Sequence, residues 1–363
     1  MSDRPLAIAA IEAVVPPLLS TLERVVWVQR HLDPTVADRL ADALAPCAAT
    51  IETPLRALDD VRGEDELELL RERLAQVARQ AVELVTAFVE AARASGDPFD
   101  LYRVLRRFAR LQEALYPLAP VVDAVSRWFL EADRRFDDAL VERLREGALR
   151  DGEPRAGVLH AANERDTRGG CSLYVPESWD GRTELPLVVA LHGGHGHGRD
   201  FLWTWLPHAR SRGVLLLAPT SRDRTWSLMR EDVDAEPLHE IVAHVAARYP
   251  VDRARMLVTG MSDGATYALR CGARADTPFT HLALLCGVVH PMVVVDGGLE
   301  RLRDRPVYHV HGALDWMFPI TTARLGRDLL REAGARLVYR ELDDLSHTYP
   351  RDENPRILDW LLR

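Results

Sequence analysis

The chain has 363 residues, 47% of them hydrophobic and 28% charged, and a formal net charge of −9. A chain of this length and apolar content can bury a large core and has room for two domains. The acidic balance argues against nucleic acid as a partner, because phosphate binding needs concentrated Lys and Arg and the basic residues here interleave with acids.

The N-terminal and cysteine patterns predict a cytoplasmic protein. We read no run as long and apolar enough to span a bilayer. Glu12 interrupts the first apolar run and no convincing cleavage site follows, so a secretory signal is not expected. The four cysteines lack metal-like spacing and are expected to be reduced, with a Cys271–Cys286 disulfide as the alternative if the protein is exported.

The first 150 residues show helical periodicity and no strand signals. Within 64–95, for example, apolar residues recur at three- and four-residue spacing and would share one stripe. Predicted helices cover 5–31, with a break at Pro16-Pro17, and then 34–45, 64–95, 98–116 and 121–150. We therefore expect residues 1–150 to form an all-α helical bundle domain that serves as a cap, a lid or an oligomerisation domain.

Residues 151–363 alternate between strand and helix patterns. Strands are predicted at 156–161, 171–175, 187–191, 214–218, 256–259, 281–286, 307–311 and 337–341. Helices are predicted at 237–248, 265–273, 321–333 and 355–362. This alternation predicts an α/β domain with a mostly parallel eight-stranded sheet covered on both faces, in which the first two strands form an antiparallel hairpin at one edge.

The segment Gly260-Met261-Ser262-Asp263-Gly264 has the pattern of a nucleophile elbow. It follows an apolar strand-like run and precedes a helix-like segment, and its glycines permit a tight turn that would expose the Ser262 hydroxyl. An ordinary glycine-rich strand-to-helix turn is the plainer interpretation of this segment taken alone.

An acid and a base follow Ser262 in the order Ser, Asp, His, which is the order of α/β-hydrolases. Asp315 and His347 each lie just past a predicted strand, where open parallel sheets gather their functional loops. We prefer Asp315 over Asp296, Asp343 and Asp344, which are interpreted as solvated loop carboxylates. His347 competes with three other histidines that are interpreted as core or strand-end residues: His290, His309 and His311.

Two backbone amides are expected to receive the oxyanion of a tetrahedral intermediate. One is the N–H of Asp263, directly after the nucleophile. The other comes from the turn at Gly193 and Gly194, because a backbone N–H approaches a substrate oxygen closely only where side chains are absent. The sequence leaves open which glycine it is.

The same loop is rich in histidine, so a metal site is the competing interpretation. His195-Gly196-His197 superficially resembles a zinc motif of metallo-β-lactamase-like hydrolases, but the following Gly198-Arg199-Asp200 breaks that pattern. We therefore expect no metal and no organic cofactor. His192 is expected to pack under the loop, with His195 and His197 at the rim of the cleft.

From about residue 156 to 363 the chain resembles the α/β-hydrolase superfamily. The segments that carry the resemblance are Leu191-His192-Gly193-Gly194 and residues 249–265, 311–319 and 346–350. Within the superfamily the chain is most similar to the esterase group around polyhydroxybutyrate depolymerase-like and feruloyl-esterase-like proteins, with carboxylesterase and phospholipase relatives nearby. Those relatives often have Asn or Met at the position of Asp263.

These observations predict a serine carboxylesterase that uses Ser262, His347 and Asp315 on a small-molecule ester. Among loop aromatics near the motifs, including Trp203, Trp205 and Phe318, we expect Trp226 and Trp316, together with His195, to contact substrate. A serine peptidase or an acyltransferase would use the same machinery. The non-enzymatic alternatives are a helical binding or homo-oligomerisation module with an accessory hydrolase domain, and an inactive hydrolase fold that binds a ligand.

Overall fold

The computed structural model describes residues 4–62, 65–94, 97–150, 156–229 and 231–363. The chain divides into two compact units, Met1–Val141 and Glu142–Arg363. The boundary expected from the sequence lies between residues 150 and 151, further along the chain than this division, and residues 151–155 lie outside the described residues.

Helices are the regular elements of the first unit wherever it is described. Their bounds are α1 Arg4–Arg30, α2 Ala37–Leu44, α3 Pro46–Asp60, α4 Asp65–Ala94, α5 Pro98–Leu105, α6 Arg107–Leu115, α7 Asp123–Trp128 and α8 Asp138–Ala148, which continues past the unit boundary. The predicted stripe on α4 is buried from Leu74 to Ala92, so this face contributes to the core. The predicted ends of that helix, Glu64 and Ser95, lie outside the described residues.

Helix α1 corrects two expectations. It continues through Pro16 and Pro17 instead of breaking there, and residues on both sides of the prolines, Val14 and Leu18 among them, are fully buried. Packing of this face offsets the roughly 3 kcal/mol or more that a proline costs inside a helix. The uninterrupted segment Pro5–Arg30 is long and apolar enough to cross a membrane by length and composition, contrary to our expectation, although 44% of its most apolar window is buried and a core helix passes the same test.

Other helix predictions in this unit were wrong in extent. Helix α3 was not predicted. Pro46 occupies its first turn, which tolerates proline, and Pro54 lies inside the helix. The predicted helix 98–116 is two helices, and 121–150 contains α7 and α8 separated by an irregular segment.

The second unit contains one eight-stranded sheet, as predicted. The strands are β1 Gly157–Ala161, β2 Cys171–Val175, β3 Leu185–Leu191, β4 Leu215–Pro219, β5 Val251–Met261, β6 His281–Leu285, β7 Pro306–Gly312 and β8 Arg336–Leu342. Their order across the sheet is β1-β2-β4-β3-β5-β6-β7-β8. Strands β3 to β8 pair in parallel, whereas β2 is antiparallel to both β1 and β4.

In the described residues from 156 onward, six α-helices accompany this sheet: α9 Gly198–Arg212, α10 Ala235–Arg248, α11 Asp263–Gly272, α12 Pro291–Val295, α13 Ile320–Glu332 and α14 Asn354–Leu361. Helix α9 was not predicted from the sequence. Its ends carry ordinary helix signals: His197 caps the first turn, and Gly213 ends the helix with φ +65°. Trp203 and Trp205 lie on α9 and are buried, so they are not loop residues.

The topology determines where the three predicted site residues gather. Ser262 follows β5, Asp315 follows β7 and His347 follows β8. Because these strands belong to the parallel part of the sheet, their carboxyl ends meet at the same edge.

Candidate active site

Ser262 lies on a strained turn between β5 and α11. Its φ and ψ are +55° and −120°, a conformation that a residue with a side chain rarely adopts and that costs on the order of 1–3 kcal/mol. A β-carbon on Gly260 would lie 2.4 Å from the carbonyl carbon of Gly264, and one on Gly264 would lie 2.3 Å from the carbonyl oxygen of Leu191. Both glycines are therefore required by close backbone approach, which the plainer interpretation of an ordinary turn would not demand.

A chain of hydrogen bonds runs from Ser262 to Asp315. The Ser262 hydroxyl lies 3.0 Å from Nε2 of His347, and Nδ1 of His347 lies 2.8 Å from Oδ2 of Asp315. All three residues are buried, with Ser262 retaining 7% exposure. A carboxylate only accepts, so Nδ1 of His347 carries the hydrogen and Nε2 is left to accept from the hydroxyl.

The other carboxylate oxygen of Asp315 is held by its own loop. Oδ1 accepts hydrogen bonds from the backbone N–H groups of Met317, at 3.0 Å, and Phe318, at 2.7 Å. These bonds fix the orientation of the carboxylate, so that Oδ2 faces His347.

His192 organises the loop after β3. Its Nδ1 lies 2.7 Å from the carbonyl oxygen of Gly193, while its Nε2 accepts from the backbone N–H of Ser221 at 3.1 Å. The ring is therefore neutral, with the hydrogen on Nδ1. A β-carbon on Gly193 would lie 3.6 Å from Cβ of Ser262, which places this turn directly beside the Ser262 side chain.

The carboxylate of Asp263 faces the same loop. Its Oδ2 accepts from the Thr225 hydroxyl at 2.6 Å, and a β-carbon on Gly194 would lie 2.7 Å from that oxygen. The side chain is thus tied to the loop after β4, and its backbone N–H begins helix α11 directly after Ser262.

Arg168 was not singled out in the sequence. From the β1–β2 connection its guanidinium donates to the carbonyl oxygens of Gly196 at 2.8 Å and Ser221 at 3.0 Å, and also to that of Asp223. Burial lowers the pKa of Arg168 below its usual value. It joins the loops that follow β3 and β4, and one arginine among many in a loop gives no sequence signal for this role.

The remaining histidines differ in burial and in their distance from the site. His290 accepts from the N–H of Met292 and begins α12, so it caps a helix. His309 and His311 are fully buried on β7. His195 is exposed on the loop after β3, whereas the prediction that His197 lies at the rim of the cleft is wrong, because it is buried as the cap of α9.

The aromatic residues near the site also differ in their exposure. The prediction that Trp226 contacts substrate is wrong, because it is 3% exposed, donates to the carbonyl of His192 and stacks on Tyr267. Trp316 is 39% exposed, with its ring 6.4 Å from that of His347, and the Phe318 ring lies 5.3 Å from the same imidazole.

Across the described ranges, no group of three or more His, Cys, Asp and Glu residues has the geometry to hold a metal ion. The four cysteines all lie within these ranges, and no disulfide joins them.

The strand order and the strained Ser262 turn define an α/β-hydrolase fold. No protein-family model and no curated protein sequence matches the chain. Similar solved structures include a thermostable esterase, with 21% identity over 56% of this chain and 62% of that chain and a TM-score of 0.47. The match to this esterase therefore spans less than two thirds of that protein's length.

Two further structures align with a similar share of this chain. One is FphF, a fluorophosphonate-binding serine hydrolase from Staphylococcus aureus, with 13% identity over 57% of this chain and 97% of that chain and a TM-score of 0.48. The other is an acetyl xylan esterase from Aspergillus awamori, with 14% identity over 57% of this chain and 99% of that chain and a TM-score of 0.45.

Proposed function

We propose that this protein is a serine hydrolase that cleaves carboxylic esters through an acyl-enzyme intermediate. Ser262 acts as the nucleophile, His347 as the general base and Asp315 as the acid that orients the base. The observation that carries the proposal is the continuous hydrogen-bonded chain from the Ser262 hydroxyl to the Asp315 carboxylate, at a strained turn on the carboxyl edge of the sheet.

The reaction proceeds in two acyl-transfer steps. Oγ of Ser262 attacks the ester carbonyl while Nε2 of His347 takes the hydroxyl proton, and Asp315 stabilises the imidazolium that forms. His347 then gives that proton to the departing alkoxide, which leaves as an alcohol, and the acyl group stays on Ser262. A water molecule, deprotonated by His347, then attacks the acyl carbonyl; the bond to Oγ of Ser262 breaks, His347 returns the proton to Oγ, and the carboxylic acid leaves.

Negative charge develops on the carbonyl oxygen in both steps. The N–H of Asp263 and an N–H of the Gly193–Gly194 turn are the donors proposed for it. Support comes from the position of Asp263 at the start of α11 and from the closeness of Gly193 to the Ser262 side chain. Removing one such donor typically lowers kcat by about 10²–10³-fold.

Small apolar or aromatic esters are the substrate class that this setting favours. Trp316 and Phe318 place aromatic surface against the His347 ring, and the partial exposure of Trp316 leaves it accessible to an acyl or aryl group. We propose Trp316 and the exposed His195 as substrate contacts. Peptides and acyl transfer to an alcohol remain competing reactions for the same machinery.

Ser262→Ala tests the assignment directly. The variant should fold and lose turnover of short-chain p-nitrophenyl esters, while Ser211→Ala, which removes a buried hydroxyl on α9, should retain it. Wild-type rates from Ser262→Ala would reject Ser262 as the nucleophile. Peptide and alcohol-acceptor assays on the wild type decide between hydrolysis of esters and the competing reactions.

We further propose that the protein works in the cytoplasm and that the helical unit is a separate cap, lid or oligomerisation module. No disulfide joins the four cysteines, which lie among the described residues, and this supports a reducing compartment. The division of the chain and the helical core of Met1–Val141 support a separate module. Light scattering on the full-length protein tests oligomerisation, because a monomer over a range of concentrations would exclude it.

A further inference from the structure

His311 is a buried histidine that the proposed reaction does not use. It lies near the end of β7, and its Nε2 is 2.8 Å from the carbonyl oxygen of Phe318 and 3.4 Å from Oδ2 of Asp315. Both neighbouring atoms accept hydrogen bonds, so Nε2 of His311 carries the hydrogen. That N–H donates to the carbonyl oxygen of Phe318, and the same nitrogen lies beside the carboxylate oxygen that receives Nδ1 of His347.

The charged and titratable groups around His311 come from several elements. Asp315 lies on the loop after β7, His347 on the loop after β8, Glu341 on β8 and His309 on β7 itself. Burial is the largest influence and lowers the pKa of His311, so the ring is neutral near pH 7. A neutral ring offers Asp315 the positive end of an N–H dipole without adding a full charge beside His347.

Phe318 closes this arrangement into a ring of contacts. Its N–H donates to Oδ1 of Asp315, its carbonyl oxygen accepts from Nε2 of His311, and its aromatic ring packs against His347. A shift of His311 therefore changes the positions of the carboxylate and of the aromatic ring that faces His347.

The other ring nitrogen of His311, Nδ1, is buried and has no hydrogen-bond partner among the described residues. An unpaired buried nitrogen destabilises a fold, so an apolar ring at this position would serve packing alone at least as well. The imidazole has a use only on its Nε2 side, which faces Phe318 and Asp315.

We infer that His311 is a positioning residue for the Asp315–His347 pair. Its Nε2–H fixes the Asp315 loop through the carbonyl of Phe318 and stabilises the negative charge of the nearby Asp315 carboxylate. This inference rests on the proposed function. His311 touches no substrate and acts through Asp315 and Phe318.

Three variants separate positioning from packing. His311→Phe keeps a buried ring and removes the donor, whereas His311→Gln keeps an N–H donor. His309→Phe makes the same ring substitution two residues earlier on β7, where the side chain packs against the rings of His311 and Tyr339. Thermal unfolding is measured for each variant first, and His311→Met replaces His311→Phe if the latter does not fold.

Two readouts are compared. The first is the pH dependence of kcat and kcat/KM on a p-nitrophenyl ester. The second is the far-downfield proton resonance of the Nδ1–H that His347 donates to Asp315, which needs no substrate. Without the Nε2–H of His311 the Asp315 charge is less stabilised and holds the Nδ1 proton of His347 more strongly, so both readouts should change.

We expect His311→Phe to move the acidic limb of kcat/KM to higher pH, to shift the downfield resonance and to lower kcat by about 10- to 100-fold, as displaced catalytic groups do. In His311→Gln the pH profile, the downfield resonance and kcat should lie close to those of the wild type, and His309→Phe should resemble the wild type in all three. The inference is overturned if His311→Phe and His309→Phe give the same pH profile and the same resonance. If the wild type neither hydrolyses esters nor reacts with a fluorophosphonate, the proposed function fails, and the resonance comparison still decides the role of His311.

Discussion

Replacing Asp315 by Asn tests the hydrogen bond between Nδ1 of His347 and Oδ2 of Asp315. The backbone N–H groups of Met317 and Phe318 donate to Oδ1, so the amide oxygen of the new side chain has to occupy that position. The amide nitrogen then replaces Oδ2 and points its own hydrogens at Nδ1 of His347. Two donors cannot face each other, so His347 shifts its hydrogen to Nε2 and loses the ability to accept the proton of Ser262.

This change of tautomer should be costly for activity and mild for the fold. Replacing the acid of such a triad by its amide lowers kcat by about 10⁴-fold. At about 1.36 kcal/mol for each factor of ten, that loss corresponds to roughly 5.4 kcal/mol of transition-state stabilisation. The two volumes are nearly equal and Oδ1 keeps both backbone partners, so we expect little change in the unfolding midpoint.

The assay is steady-state hydrolysis of a short-chain p-nitrophenyl ester, with circular dichroism as the check on folding. Asp343→Asn is the matched control, because it makes the same substitution at an exposed carboxylate of a nearby loop. A folded Asp315→Asn protein with kcat within tenfold of the wild type would refute the proposed role of Asp315.

Three further predictions concern stability, pH and metal dependence. Arg210→Met should lower the unfolding free energy measured in urea by about 3–5 kcal/mol, because Arg210 and Glu177 form a buried ion pair at 3.1 Å and the carboxylate would lose its positively charged partner. Arg56→Met, in the exposed pair with Glu52, should change the unfolding free energy by no more than about 1 kcal/mol. Burial lowers the pKa of His309 to about 3. As the pH falls, His309 is therefore protonated near pH 6.5 in the unfolded chain but only near pH 3 in the folded protein. The unfolding free energy therefore decreases as the pH falls from about 6.5 to about 3. In denaturant titrations His309→Phe should reduce the slope of this decrease by up to about 1.4 kcal/mol per pH unit. An unchanged slope would contradict the burial of a neutral ring. Dialysis against EDTA should leave esterase activity unchanged, and a loss that zinc restores would support the competing metal interpretation.

The parts of the site that could be predicted from sequence are those that depend on local order. The glycines around Ser262 give a sharp signal, because close backbone approach excludes any side chain there. The contact of Ser262 with His347 and of His347 with Asp315 could be predicted because each residue follows a recognisable strand, and parallel strands bring their carboxyl ends together. The strand predictions succeeded for the same reason, since buried parallel strands are short apolar runs between turn residues.

What could not be predicted depends on tertiary packing. Trp226 follows β4 on the functional edge of the sheet, yet its ring turns inward onto Tyr267, and one sequence does not reveal that choice. Arg168 joins two loops through backbone carbonyls, which leave no pattern of residue types. Helix α1 continues through two prolines because its buried face is packed on both sides of them, which local propensity cannot anticipate.

Mapping the adduct of a fluorophosphonate probe by mass spectrometry tests the central claim most directly. The proposed chemistry predicts one covalent phosphonyl adduct, on Ser262, that forms in the native protein and is absent from Ser262→Ala and after heat denaturation. A native, folded protein that stays unmodified, or one that carries the adduct on another residue, would contradict the claim that Ser262 is an activated nucleophile.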